Sequence, residues 1–240
     1  MITPKMIADK TMTPAKRKIA YNDFFAFYIG RPLSYIVSIP FIYLRLKPKT
    51  ISLLSMLPPI LGFLVFCKVH TLFGLILGWL CFFLWNILDG VDGNVARYTG
   101  QTSKMGSVYD AMSGYIAMTL TFFAAGVGAV HQGGVLSSYI PSETLIILGA
   151  LAGIFMLFPR LVMHKAISTF MSTDSVASVK DKSGFNLVKV LALNLESVSG
   201  GAQVLFLVAI VLHILDLYVI AYFAFNGLVM LVSLRDILKD

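Results

Sequence analysis

The stretch "NILDGVDGNVARYTGQTSKMGSVYDAMSGYIA", residues 86–117, places three carboxylates in an otherwise apolar part of the chain. Asp89 and Asp92 are three residues apart, so they share one face of a helix, and Asp110 begins a comparable face on a second helix. The connection between the two helices is short and contains glycine. The pattern therefore predicts two antiparallel neighbouring helices whose three carboxylates converge at one end.

The composition around this stretch is that of an integral membrane protein. Of the 240 residues, 58% are hydrophobic and 13% are charged, whereas a soluble domain carries roughly 25% charged residues. We predict an all-α, polytopic membrane protein with six transmembrane helices, the last two being short enough to form one hairpin broken near Asp216. The apolar runs that approach the about 20 residues of a bilayer helix are 52–69, 72–97, 105–129, 144–165, 202–216 and 218–234.

The distribution of Lys and Arg predicts the orientation, because basic residues concentrate in cytoplasmic connections. Nine of the 19 Lys and Arg residues lie in residues 1–49, and others flank the second connection, the fourth connection and the C-terminus. Six spans with both termini in the cytoplasm leave only Lys68 on the other side. We therefore expect a multi-pass protein whose acidic cluster opens to the cytoplasm.

The segment before the first span has a different character. Residues 28–50 are apolar and aromatic but carry Arg31 and Arg45 near their ends and Pro40 within, which suits an amphipathic helix in the membrane interface. The alternative is a seventh, kinked span. We divide the chain into a cytoplasmic segment with this interfacial helix, residues 1–50, and a six-helix transmembrane domain that carries the acidic cluster, residues 51–240.

Interactions with partners are indicated by two further patterns. The pairs Gly74/Gly78 and Gly149/Gly153 are GxxxG motifs, which serve either helix packing within a chain or a homodimer seam. The basic segment 5–18 is expected to contact anionic lipid headgroups. No stacking platform or recognition motif for nucleic acid is present.

Three converged carboxylates beside a membrane call for a counter-charge. Each costs on the order of 3 kcal/mol near the bilayer centre, and their mutual repulsion adds to this cost. A divalent cation removes both problems, and carboxylate oxygens with open positions suit Mg²⁺ or Mn²⁺. The alternative is that the acids pair with Arg97 and Lys104 in a simple charge cluster.

At this point the sequence resembles the CDP-alcohol phosphotransferases, whose signature reads D-x2-D-G-x2-A-R-x7–8-G-x3-D-x3-D. The stretches "RPLS" (31–34) and "KPKTISLLS" (47–55) also resemble the family's segment before its first span, with Lys49 where Asn is usual. Seven of the eight fixed signature positions match at the right spacing: Asp89, Asp92, Gly93, Ala96, Arg97, Gly106 and Asp110.

The resemblance implies transfer of a substituted phosphoryl group from a CDP-linked alcohol, such as CDP-diacylglycerol, CDP-choline or CDP-ethanolamine, to an acceptor hydroxyl with release of CMP. It implies a role in phospholipid or related phosphodiester synthesis. The expected metal ligands are Asp89, Asp92 and Asp110, the catalytic residues Asp110 and Arg97, and the nucleotide-binding residues Gly93, Ala96, Arg97 and Gly106, with Mg²⁺ or Mn²⁺ as cofactor.

The eighth signature position departs from the family, because Gly114 stands where the last Asp would act as general base or second-metal ligand. Three explanations are open. The chain activates its acceptor otherwise, for instance with Asp174 or Asp181; or the sequence has been altered to trap a substrate complex; or the protein is a catalytically impaired or non-enzymatic protein that binds CDP-lipid and metal.

A second group of candidates lies near the end of the fourth span. Arg160 and His164 are four residues apart and face the same way, and Lys165 follows. These residues are expected to bind the acceptor or a phosphate. The alternative is an ordinary basic flank in contact with lipid headgroups.

Overall fold

Most of the part of the chain that the structure describes is α-helical. The computed structural model describes residues 1–170 and 187–238, which contain helices and turns but no β-strand. A π-helical turn, Ala26–Gly30, leads into the third helix. The helices are α1 Pro4–Thr11, α2 Pro14–Ala20, α3 Arg31–Tyr43, α4 Pro48–Ser55, α5 Leu57–Lys68, α6 Leu72–Thr99, α7 Lys104–Gln132, α8 Ser142–Phe170, α9 Leu187–Glu196, α10 Gly201–Val211 and α11 Leu215–Ile237.

The predicted all-α, polytopic membrane architecture is confirmed. In the described ranges, five segments are long and apolar enough to cross a bilayer, and the α9–α10 pair, bent by 54°, forms a sixth if it is counted as one span. The five segments are Pro48–Lys68, Leu72–Thr99, Lys104–Gln132, Ser142–Thr169 and Leu215–Ile237. Four of the six predicted apolar runs, 72–97, 105–129, 144–165 and 218–234, each correspond to one helix. The run 202–216 covers most of α10, the second half of the bent pair.

The first span begins earlier than the predicted residue 52. It consists of α4 and α5, which are separated by a turn at Met56. Pro58 and Pro59 have no backbone N–H, so they cannot bond to the carbonyls one turn earlier, and the helical ladder is interrupted there. Because α4 begins at Pro48, the predicted domain division at residue 50 falls inside a helix.

At the end of the bundle away from the acidic cluster, the break between α10 and α11 falls just before Asp216, close to where the sequence predicts it. His213 adopts a left-handed conformation there, with φ 58°. The buried carboxylate of Asp216 accepts hydrogen bonds from the N–H groups of Leu217 (2.9 Å) and Leu136 (2.5 Å). Asp216 therefore lies in the first turn of α11 and also holds the α7–α8 connection against it.

Glycine allows α7 and α8 to pack with their backbones in contact. A Cβ on Gly149 would lie 2.6 Å from the carbonyl oxygen of Phe122, and one on Gly153 would lie 2.8 Å from that of Thr119. Likewise, a Cβ on Gly78 would lie 2.6 Å from the Phe66 ring of α5. These glycines serve packing within the chain, as GxxxG motifs often do, and the homodimer remains a prediction.

This packing predicts a stability effect. Gly149→Ala is expected to lower the free energy of unfolding by about 1–3 kcal/mol, the usual cost of overpacking, because the added methyl group meets fixed backbone of α7. Thermal unfolding of the full chain in detergent measures it. The control is Gly114→Ala, whose methyl group would meet only the flexible Met118 side chain, at 3.6 Å. Equal melting temperatures for the two variants would contradict the assignment.

The α3 helix lies beside the spans. Its 13 residues fall short of the about 20 that a span requires, so a seventh span is not supported, and an interfacial position remains the prediction. Ile51 of α4 and Val91 and Val95 of α6 form a small buried cluster, against which Leu33 and Val37 of α3 pack. This cluster fixes α3 and α4 against the part of α6 that carries the acids.

Candidate functional site at the acidic end of α6 and α7

A tight connection between α6 and α7 brings the acidic residues together. Gly100 ends α6 in a left-handed conformation, with φ 76°, which glycine adopts without strain. Ser103 caps α7 by accepting a hydrogen bond from the N–H of Gly106 at 3.0 Å. Gly106 thus lies in the first turn of α7. The predicted antiparallel neighbours are present, and Asp110 lies two turns into α7.

A cavity of about 660 Å³ opens at this end of the bundle. Its walls come from α2, α3, α4, α6 and α7 and from the α6–α7 connection. The predicted metal and nucleotide residues all line it: Asp89, Asp92, Gly93, Ala96, Arg97, Gly106 and Asp110. A set spread over 22 positions of sequence is therefore assembled around one space.

The three carboxylates lie close enough to influence one another electrostatically. Asp89 is affected by the charges of both Asp110 and Asp92, and Asp92 by that of Asp110. Asp92 is buried, with 5% of its surface exposed, Asp89 is half-buried and Asp110 is exposed. Within residues 1–170 and 187–238, no three His, Cys, Asp or Glu side chains are already arranged around one point as metal ligands.

Asp92 is held by a serine from a different span. The hydroxyl of Ser52 on α4 donates a hydrogen bond to the Asp92 carboxylate, and Ser52 is itself buried. Ser52 also lines the cavity. Because a carboxylate with one oxygen fixed has fewer orientations to sample, Ser52 positions Asp92 towards the cavity.

A second polar contact fixes Arg97. The buried amide of Asn94 donates hydrogen bonds to the hydroxyls of Ser34 (3.0 Å) and Ser38 (3.3 Å) on α3. Its carbonyl oxygen accepts one from the Arg97 guanidinium at 3.4 Å. Asn94 therefore links α3 to the orientation of Arg97.

Glycines make room for these side chains. A Cβ on Gly90 would lie 2.9 Å from Cβ of Ser34, so only glycine allows α3 to approach α6 here. A Cβ on Gly93 would lie 2.9 Å from the guanidinium nitrogens of Arg97. The sequence predicts that the missing side chain of Gly93 leaves room for the nucleotide. In the structure, the Arg97 guanidinium occupies part of that room, and Arg97 also lines the cavity.

The cavity also contains more cations than the signature predicts. Besides Arg97, four basic side chains line it: Lys16, Arg31, Lys47 and Lys49. The ammonium of Lys49 lies 5.1 Å from the ring centroid of Tyr109, next to Asp110. Basic groups therefore face the acids from both the N-terminal helices and α4.

No side chain of the described residues fills the space beside Gly114, where the family signature has its last carboxylate. Gly114 is half-buried, and a Cβ there would meet only Cε of Met118, at 3.6 Å. Ser113 is buried and bonded to the hydroxyl of Ser55 (2.7 Å) and the indole N–H of Trp85 (2.9 Å). No neighbouring side chain among these takes over the place of a carboxylate one turn beyond Asp110.

The second candidate group lies elsewhere. Arg160, His164 and Lys165 are on α8 and are not among the described residues that line the cavity. His164 instead contacts the Tyr115 hydroxyl of α7 through Nδ1. Their role in binding an acceptor or phosphate remains a prediction. The alternative bases Asp174 and Asp181 lie outside the described residues.

Sequence analysis missed Ser52, Asn94 and Lys16. Asn94 had a detectable signal, since it is an amide two positions after Asp92 in an apolar helix. Ser52 lies in the quoted stretch 47–55 and Lys16 in the basic segment 5–18. Neither pattern places the residue in the cavity, because each reaches it only through the packing of distant parts of the chain.

A comparison with protein families identifies the family of this chain. The family model described as CDP-alcohol phosphatidyltransferase matches residues 45–234, well over half of the chain. No curated protein matches the chain. The matched region contains all of α4 to α10, most of α11 and the whole acidic stretch, whereas α1, α2 and α3 precede it.

Proposed function

The chain belongs to the CDP-alcohol phosphatidyltransferase family, and on that premise we propose that it transfers a substituted phosphoryl group from a CDP-linked alcohol to an acceptor hydroxyl and releases CMP. The observation that carries the proposal is the assembly of Asp89, Asp92, Asp110 and Arg97 around one cavity. Such a reaction depends mainly on positioning and on neutralisation of phosphate charge. The proposed setting is phospholipid or related phosphodiester synthesis.

The proposed cofactor is Mg²⁺ or Mn²⁺, held by Asp89, Asp92 and Asp110. The donor set fits such an ion, because it consists of hard carboxylate oxygens from residues that repel one another and share one cavity. A divalent ion would neutralise charge on the diphosphate and on the departing CMP.

The chain's own residues supply the positioning. The acceptor oxygen attacks the β-phosphorus of the CDP-alcohol, the bond from that phosphorus to the bridging oxygen breaks, and CMP leaves with the bond's electrons. Arg97, oriented by Asn94, is placed to bind phosphate oxygens with its planar guanidinium. Gly93, Ala96 and Gly106 form the adjoining wall for the nucleotide. Gly114 has no side chain that could take the acceptor's proton, so the proton passes to solvent without a general base at this position.

The test is CMP release by the full-length chain in lipid nanodiscs with Mg²⁺. CDP-diacylglycerol, CDP-choline and CDP-ethanolamine are offered in turn with alcohol acceptors. Release of CMP that needs both Mg²⁺ and an acceptor is expected with one of these donors. Absence of release from all of them, with the protein folded, would contradict the proposal of an active transferase.

Gly114 favours a second candidate, a non-enzymatic protein that binds a CDP-lipid and a metal. Loss of a general base lowers rates by about 10²- to 10⁴-fold, while the acids and Arg97 that bind metal and nucleotide are kept. Mg²⁺-dependent binding of CDP-diacylglycerol without CMP release identifies this candidate.

The contact between Ser52 and Asp92 leads to a prediction for metal binding. Ser52→Ala is expected to weaken Mg²⁺ or Mn²⁺ binding about 10- to 100-fold, as removal of supporting hydrogen bonds around metal ligands generally does. Mn²⁺ titration followed by electron paramagnetic resonance measures it. Ser55→Ala is the matched control, since Ser55 is buried on the same helix but bonds to Ser113. Equal Mn²⁺ affinities in the two variants would remove Ser52 from this role.

The orientation of the chain in the membrane is proposed from the distribution of Lys and Arg. Both termini and the cavity face the cytoplasm, where the basic residues concentrate, and the basic N-terminal segment contacts anionic lipid. This orientation gives a soluble acceptor direct access to the cavity.

A further inference from the structure

Three cationic side chains from separate helices share one wall of the cavity. Lys16 comes from α2, Arg31 from the start of α3 and Arg97 from the end of α6, and all three line the cavity. Partial burial lowers the pKa of the Lys16 ammonium, and the neighbouring positive charges of Arg97 and Arg31 lower it further. Arg97 is in turn affected by the charge of Arg31. Three positive charges that repel one another are therefore held close together by the packing of the helices that carry them.

Donor groups in this cluster lack acceptors. The Nε atoms of Arg31 and Arg97 are both buried and have no hydrogen-bond partner among the described residues. Buried polar groups are nearly always hydrogen-bonded, and an unsatisfied one costs about 1–3 kcal/mol. Two unsatisfied guanidinium donors beside a third cation are the arrangement that an oxyanion would complete.

The charges around the cavity agree with this view. Among the described residues that line it, five are cationic and three are acidic. A divalent cation held by the acids increases the positive surplus, and the diphosphate of a donor offsets only part of it. The cavity is therefore complementary to an additional anionic group.

We infer that Lys16, Arg31 and Arg97 form a subsite for a phosphate group. Lys16 and Arg31 lie outside the family-matched residues 45–234, so the subsite is built largely by the N-terminal helices of this chain. Two ligands share the chemistry: a phosphate monoester on the acceptor, or the diphosphate of the donor. The choice between them rests on the proposed function, whereas binding of phosphate does not.

The test is a melting-temperature titration with inorganic phosphate on the full chain in detergent, without metal and with ionic strength held constant by chloride. Phosphate is expected to stabilise the wild-type protein saturably, since a ligand that binds only the folded state raises the melting temperature. In Lys16→Gln the half-saturating phosphate concentration is expected to rise about tenfold or more, because a charge-assisted hydrogen bond is lost.

The matched control is Lys5→Gln, which removes the same charge from the same N-terminal segment at an exposed residue that does not line the cavity. Arg31→Lys keeps the charge but removes the guanidinium donors, so it is expected to retain only part of the response, whereas Arg31→Gln loses it. The inference is overturned if wild type and Lys16→Gln respond equally, or if chloride stabilises as well as phosphate. Most of the Lys16 side chain is exposed despite its partial burial, so its substitution leaves a folded protein to measure.

Repeating the titration with saturating CDP and Mg²⁺ distinguishes the two ligands. If phosphate still stabilises the protein, and sn-glycerol 3-phosphate does so while glycerol does not, the subsite takes a phosphorylated acceptor. If CDP abolishes the phosphate response, the subsite holds the donor's diphosphate. The first titration uses neither metal nor CDP-alcohol, so its result does not depend on the proposed transferase activity. If the chain binds phosphate through Lys16 but releases no CMP, the transferase proposal is contradicted and the phosphate subsite is not.

Discussion

Asp92→Asn is expected to weaken Mg²⁺-dependent binding of a CDP-alcohol at least about 100-fold and to remove detectable CMP release. Removal of a residue that only supports a metal ligand lowers metal affinity about 10- to 100-fold, and removal of the ligand itself lowers it at least as much. Asp92 is the most buried of the three acids, so its charge is the least screened by solvent.

The substitution tests chemistry more than folding. An asparagine has the shape of aspartate, and its carbonyl oxygen still accepts the hydrogen bond that Ser52 donates, so the packing of α4 on α6 is kept. Only the negative charge is removed. Equilibrium binding of a CDP-alcohol, with Mg²⁺ and with a chelator, separates the metal-dependent part of the affinity from the rest.

The matched control for this test is Glu143→Gln, at an exposed residue in the first turn of α8, at the other end of the bundle. It removes one negative charge without touching the cavity. If Asp92→Asn binds the CDP-alcohol as tightly as this control does, in the presence of Mg²⁺, the carboxylate of Asp92 is not a metal ligand and the proposed site is wrong.

Gly114→Asp is expected to raise the rate of CMP release by about 100-fold or more, since a general base contributes about 10²- to 10⁴-fold. The new carboxylate would lie one turn beyond Asp110 on the same helix face. It fits without displacing backbone, because the nearest atom to its Cβ is the mobile Cε of Met118, at 3.6 Å.

Gly114→Asn is the control, because it adds the same bulk without a group that accepts a proton at neutral pH. The rate of Gly114→Asp should rise with pH as the new carboxylate ionises, and that of Gly114→Asn should not gain this dependence. If the two variants release CMP at the same rate, another group already takes the acceptor's proton, and residue 114 has no part in the reaction.

Sequence alone predicted the helices and the acidic cluster because both depend on local patterns. Apolar runs of about 20 residues mark bilayer helices whatever their neighbours are. Asp89 and Asp92 share a face by helical geometry. The short connection from α6 to α7 makes these helices antiparallel neighbours, which places Asp110 beside the other two acids. The cavity residues on these two helices follow from those facts.

The remaining walls of the cavity depend on contacts between residues far apart in sequence. Ser52 is hydrogen-bonded to Asp92 across 40 positions of sequence, and Lys16 lies close enough to Arg97, in a distant helix, to be affected by its charge. Neither pair has a periodicity or motif that reveals it, because the pairing is decided by how α2, α3 and α4 pack on α6. The break at Met56 could have been predicted, since the two prolines that cause it follow directly in the sequence.

The length of α6 determines how deep the acids lie in the bilayer. Its 28 residues extend over about 42 Å at 1.5 Å per residue, whereas the hydrocarbon layer is only about 30 Å thick. If α6 enters that layer at Leu72, about 20 residues cross it, and the turns from Asp92 to Thr99 emerge at the level of the lipid phosphates. The proposed CDP-alcohol donor, if it is anchored by acyl chains, would therefore have its diphosphate at the level of these turns without being lifted out of its leaflet.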